Sequence, residues 1–97
     1  MGPRAWARRL LRPRAARVRQ VVLVTRVGCV QCAEVAPLVA REAARAGAAY
    51  AERDVDASPQ DLAAYGEKVP VVLLDGVEHA FWGVERKALR AALRAGG

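Results

Sequence analysis

Cys29 and Cys32 are the only cysteines of the chain, and they stand three positions apart. The apolar run Val21-Val22-Leu23-Val24 leads into them, and a segment with helical periodicity leads out. The pair therefore sits where a strand hands over to a helix, with Cys29 at or just before the helix N-terminus. Unpaired backbone N–H groups and the positive end of the helix dipole meet there. Both favour a thiolate over a thiol. In such a setting the first thiol of a Cys-X-X-Cys commonly titrates at about 3.5–7.5, against about 8.5 when free. The thiolate is the species that attacks a disulfide. Cys29 is thus expected to be the nucleophile and Cys32, one helical turn on, the resolving thiol.

The 97 residues allow one small domain. No run of 18 apolar residues is present, so no transmembrane segment is expected. The basic N-terminus is not followed by the apolar stretch of a secretory signal. A closely spaced cysteine pair then argues for redox chemistry in the cytoplasm rather than for a structural staple. The formal charge of +6 is unevenly spread. Residues 1–19 carry seven arginines and no acid, leaving nine basic side chains against ten acidic ones in residues 20–97. Residues 1–19 accordingly read as a basic, disordered tail, and residues 20–97 as the folded domain. A basic pI is then no reason to assign nucleic-acid binding to the domain. A weaker alternative has the tail docking to anionic lipid or nucleic acid, with Trp6 at the interface.

Along the domain, residues 20–25 read as a strand buried on both faces. Residues 30–46 read as a helix, with Val35, Leu38 and Val39 on one side and Pro37 inside it. Residues 48–55 form a weaker strand. Ser58-Pro59-Gln60-Asp61 combines a capping serine, a proline at the first helical position and an acid in the first turn. The helix it starts runs to Tyr65, with Gly66 as the stop. Val71–Leu74 and Val77–Trp82 flank Asp75-Gly76, a hairpin turn. Glu85–Arg94 is the last helix, with Ala88, Leu89, Ala92 and Leu93 on its apolar face. The order β-α-β-α-β-β-α begins with a right-handed crossover and ends with a hairpin and a helix. It predicts an α/β fold: a four-stranded mixed sheet with three flanking helices.

This order, with Cys-X-X-Cys at the first strand–helix junction, resembles the thioredoxin fold over residues 20–94. Pro37 stands eight residues after Cys29, where thioredoxins carry a proline in the helix. Val69-Pro70 precedes the third strand, where the family has a cis-proline. Within the superfamily the chain is similar to the glutaredoxins, in a small bacterial glutaredoxin-like group. Gly28 replaces the tryptophan that thioredoxins place before the first cysteine, and Arg26 stands where glutaredoxins keep a basic residue. Val30-Gln31, Lys68 and the single Gly83 depart from the usual glutaredoxin residues. The resemblance implies a dithiol thiol–disulfide oxidoreductase with a redox-active Cys29–Cys32 pair. Arg26, Lys68, Val69 and Pro70 would bind substrate. No bound cofactor is expected. Glutathione or another low-molecular-weight thiol is the expected reductant, with a reductase as the other donor. The substrate would be a disulfide in a protein or a small molecule, and a monomer is expected.

Each residue also has a plainer reading. Arg26 and Lys68 could be solvated loop cations. Phe81 and Trp82 read as core and edge packing, and His79 as a half-exposed strand residue. Two cysteines and His79 cannot complete a tetrahedral zinc site within one chain. A non-catalytic binding module stays open as the alternative, as does a dimer sharing zinc or an iron–sulfur cluster through both cysteine pairs.

Overall fold

The computed structural model describes residues 17–96. Its elements are β1 (Gln20–Thr25), α1 (Val30–Arg45), β2 (Ala49–Asp54), a 3-10 turn (Val55–Ala57), α2 (Pro59–Tyr65), β3 (Val71–Leu74), β4 (Val77–Phe81) and α3 (Arg86–Ala95). The strands form one sheet in the order β2-β1-β3-β4. β1 is parallel to β2 and antiparallel to β3, and β3 is antiparallel to β4. This is the expected mixed sheet with three helices, a thioredoxin-like fold.

The apolar runs of β1 and β3 go to the two central strands, where both faces need covering. Side chains alternate. Val21, Leu23, Val72 and Leu74 join Val39 and Ala43 of α1 and Leu89 and Leu93 of α3 in one core cluster. Val22, Val24, Val71 and Leu73 form the second cluster with Val55, and Tyr65 at the end of α2 packs on it. The edge strands β2 and β4 are largely exposed, which explains their weaker apolar pattern. Pro37 lies inside α1. Ala88 faces solvent, so the buried stripe of α3 is narrower than expected.

Local chemistry sets the joints. Asp75 and Gly76 both have positive φ, 50° and 83°, which gives the primed turn matching strand twist. The β3–β4 register slips between Val72 and Leu73, leaving His79 as the extra residue of a bulge. Ser58 caps α2 by accepting from the N–H of Asp61 at 3.2 Å. Arg53 of β2 then forks onto the Asp61 carboxylate at 2.8 and 3.1 Å.

Val18, two residues before the boundary read from the charge split, is part of the folded core. Val18 is 3% exposed and belongs to the α1–α3 core cluster. The N–H groups of Arg19 and Gln20 donate to the Asp75 carboxylate, and the Arg19 carbonyl accepts from Ala49 at 2.9 Å. The arginine count cannot locate this boundary, because Val18 is apolar between two exposed arginines. The remainder of the tail reading, residues 1–16, lies outside the described residues.

Candidate active site

The β1–α1 junction is built by Gly28 and Cys29. Gly28 has φ of 83°, and an added Cβ would meet nothing within 4 Å. Its conformation, not a lack of space, is what calls for glycine. The turn is closed by the Cys29 N–H donating to the Arg26 carbonyl at 3.1 Å. Cys29 is then extended, with φ −80° and ψ 106°, and is the N-cap of α1. Its Sγ accepts from the Cys32 N–H at 3.1 Å, taking the place of the oxygen of a capping serine or aspartate. The first turn of α1 holds no acid. Cys29 and Cys32 are joined as a disulfide, with their Cα atoms 5.3 Å apart. Cys32 is 3% exposed, whereas Cys29 is only half-buried.

An open cleft of about 220 Å³ lies beside the pair, lined by Thr25, Arg26, Cys29, Cys32, Ala36 and Glu52 among others. Glu52 escaped the sequence reading. It stands opposite Leu23 in the β1–β2 register, and strand alternation then puts it on the α1 side of the sheet. Its carboxylate accepts from the Tyr50 hydroxyl at 2.7 Å. Burial, and secondarily this bond to Glu52, push the Tyr50 hydroxyl well above its ordinary pKa.

Arg26 is held by the domain. Nε and Nη2 fork onto Asp56 at 3.0 and 3.2 Å, and Nη1 donates to the Gly66 carbonyl at 2.9 Å. The hydrogen bonds from Arg26 hold the Asp56 carboxyl below its ordinary value. Arg26 thus lines the cysteine cleft while most of its fork is occupied. Lys68 lies 3.4 Å from both oxygens of Glu78, with its ammonium 5.1 Å from the Phe81 ring centroid. The Val69–Pro70 bond is cis. Pro70 follows directly on the last paired couple, Val24–Val71, so it lies at the cysteine end of the sheet. Val69 makes no backbone hydrogen bond within the described residues.

Trp82 and Phe81 are not core residues. They are 59% and 43% exposed, in an edge-to-face pair with centroids 5.0 Å apart. Trp82 has φ of 66° and turns out of β4. Its N–H is shared between the Lys68 and Pro70 carbonyls at 3.0 and 2.9 Å, and its indole N–H donates to the Glu67 carbonyl at 2.8 Å. The Trp82 carbonyl accepts from the side-chain amide of Gln31, which lies between the cysteines. This chain of bonds brings Gln31, Trp82 and Pro70 together. Val27 and Val30, on either side of Gly28-Cys29, are 86% and 73% exposed. The disulfide therefore has an apolar rim. Hydrophobicity alone suggests burial for Trp82, and nothing local marks it as a partner of Gln31.

Among the described residues, no three His, Cys, Asp or Glu side chains come together as metal ligands. No described helix is long and apolar enough to cross a membrane. A half-exposed cysteine at a helix N-terminus, bonded to a buried one, is an arrangement suited to redox chemistry.

Residues 20–94 match the family described as Glutaredoxin-like domain (DUF836). An uncharacterised protein of Mycobacterium tuberculosis is 42% identical over 77 residues, covering 74% of this chain and 79% of its own. An uncharacterised protein of Mycobacterium bovis matches to the same extent. A structural-genomics target protein from X. campestris superposes with a TM-score of 0.63 at 29% identity, over 77% of this chain and 96% of its own. A mutant thioredoxin from Halobacterium salinarum gives 0.59 at 24% identity, over 84% and 76% of the two chains, a likeness of fold. With the whole domain matched and the disulfide in place at the head of α1, the chain belongs to the glutaredoxin-like domain family of the thioredoxin-fold superfamily.

Proposed function

We propose that this protein is a thiol–disulfide oxidoreductase working through a dithiol cycle. The observation that carries the reading is the asymmetry of the pair: Cys29 is the helix-capping and more exposed sulfur, and Cys32 is buried. In the reduced form, the Cys32 N–H and the end of α1 favour a thiolate at Cys29. That thiolate attacks one sulfur of a substrate disulfide and expels the other as a thiolate, leaving a mixed disulfide on Cys29. Cys32 loses its proton, attacks Cys29 Sγ and releases the second substrate thiol. The Cys29–Cys32 disulfide remains, and the substrate has gained two electrons. The free backbone of Val69 beside Pro70 is suited to pairing with an extended peptide or with glutathione.

Two molecules of a low-molecular-weight thiol such as glutathione would restore the dithiol and leave as their own disulfide. Lys68 and the remaining donors of Arg26 would meet its carboxylates. A second donor, a protein reductase, is favoured by a specific observation, the exposed rim of Val27, Val30, Phe81 and Trp82. Aromatic and aliphatic side chains of this kind anchor protein interfaces. As a reductase of other disulfides, the protein would operate in a reducing compartment such as the cytoplasm.

The test is turnover of the oxidised protein under each donor. Reduction by millimolar glutathione supports the small-thiol cycle. Reduction only by thioredoxin reductase with NADPH would assign the donor to the apolar rim. No turnover with either donor, on insulin or on a small disulfide, would overturn the oxidoreductase reading.

A further inference from the structure

The groove between α1 and α3 carries charge that the domain does not neutralise. Residues 20–97 contain nine basic side chains. Arg26, Arg53 and Lys68 each lie against an acid: Asp56, Asp61 and Glu78. Five of the others, Arg41, Arg45, Arg86, Arg90 and Arg94, line two adjoining clefts of about 320 and 160 Å³. Only Arg90 has an ion-pair partner among the described residues. It forks onto Glu42 at 2.8 and 2.9 Å. Glu42 is 3% exposed and both its oxygens are bonded to Arg90, while Arg45 and Arg86 feel its charge without bonding it. Glu34 lines the larger cleft as its other acid.

The unpaired arginines are badly placed for the helices alone. Arg86 and Arg94 stand on either side of the paired Arg90 on α3, and Arg41 and Arg45 are one turn apart on α1. Like charges at that spacing destabilise a helix. The dipole accounts for Arg45 and Arg94, which stand in last turns. It works against Arg86, the first residue of α3. That first turn also has no acid and no side-chain cap, so its N–H groups are left for another acceptor.

We propose that this groove binds a phosphate-type oxyanion, held by Arg41, Arg45 and Arg86. Guanidinium forks match the oxygens of such an ion in pairs. A cleft of about 320 Å³ is at the small end for ligand sites, suited to a phosphoryl group with little attached. Bound there, the anion would relieve the repulsion between Arg41 and Arg45 and offset the charge of Arg86 at the start of α3. The site is separate from the disulfide and requires nothing of the redox cycle.

The full chain should be titrated with inorganic phosphate and with glycerol phosphate, against sodium chloride of matched ionic strength. The expected result is a saturable rise in melting temperature that chloride does not reproduce. Amide shifts should be concentrated on residues 41–45 and 86–90. Preference for the free ion or for the monoester would identify the source of the phosphoryl group. Arg41→Gln with Arg86→Gln should weaken binding roughly tenfold or more, as expected for lost charge-assisted hydrogen bonds. Disulfide turnover should be unchanged in that variant, which separates this test from the one above. Circular dichroism confirms that it folds, and Arg86→Gln alone serves if the pair does not. No response beyond chloride overturns the proposal. So does an equal response in the variant, or tight binding of an oligonucleotide that neither phosphate compound displaces.

Discussion

At its N-terminal end, α1 begins on Cys29 beside a cation whose charge the domain already holds, Arg26 against Asp56. About three turns further on, the same helix faces α3 across a groove with one buried carboxylate and several arginines that lack a partner. The redox end combines quiet electrostatics with an apolar rim. The groove combines a buried ion pair with unspent positive charge. One helix thus borders both regions, because its first turn is placed by the β1 junction and its later turns by contact with α3. Nearness to Cys29 is therefore no guide to where free charge lies in this domain.

The largest effect is expected at the redox end. Cys29→Ser should reduce turnover to the uncatalysed background. Cys32→Ser should accumulate a mixed disulfide through Cys29, visible as a mass increase on the intact protein. Preferential alkylation of Cys32 near neutral pH would reverse the two roles and break the comparison at its strongest point.

Removing Val18 should come next. It packs with Leu93 and Leu89 in the core, and its N–H points to the Leu93 carbonyl at 3.5 Å. Relative to a chain beginning at Arg17, one beginning at Arg19 should lose about 2 kcal/mol, from the burial of one valine. For a domain of this size that is roughly 8–16 °C. Equal melting temperatures would show that the groove end of the domain stands without this strap.

Arg90→Met tests the buried pair. The bonds from Arg90 hold the Glu42 carboxyl below its ordinary value, against the opposite pull of burial. Glu42 therefore contributes stability above its unfolded pKa, about 4.3, and loses it as pH falls through the lower folded value. Without Arg90 the carboxylate loses both its hydrogen bonds and keeps only the charges of Arg45 and Arg86 nearby. The variant should melt several degrees lower at pH 7, and the gap should close as acid protonates Glu42. Replacing both residues by apolar ones should recover much of the loss. A gap independent of pH would show that the stability lies in packing and not in charge.

Smaller effects are expected on the rim. Trp82→Ser should slow reduction by a protein donor several-fold while leaving glutathione turnover within about twofold, in keeping with a side chain that anchors an interface. Smallest of all, Arg26→Ala should keep the fold and weaken use of a small thiol modestly, since most of its fork already serves Asp56 and Gly66. The Asp56 carboxyl should rise toward its ordinary range, which carbon NMR of the side chain reads directly.

Much of this was legible in the chain. Val21–Val24 and Val71–Leu74 are continuous apolar runs, and such runs have to be central strands. Gly28 before Cys29, Ser58-Pro59 before α2 and Asp75-Gly76 in the hairpin are local signals. Their physics is contained within four residues, so the elements and the place of the disulfide follow from sequence alone. What the sequence left open depends on residues far apart along the chain. Arg26 meets Asp56 across 30 positions, Glu42 meets Arg90 across 48, and Gln31 meets Trp82 across 51. No local pattern contains these pairings, because they exist only once the sheet has brought the loops to one end and α3 against α1. The same packing decided that Val18 is buried and Trp82 exposed, contrary to what their neighbours in sequence suggest. Composition assigns a side chain its chemistry, and only the tertiary structure assigns it a partner.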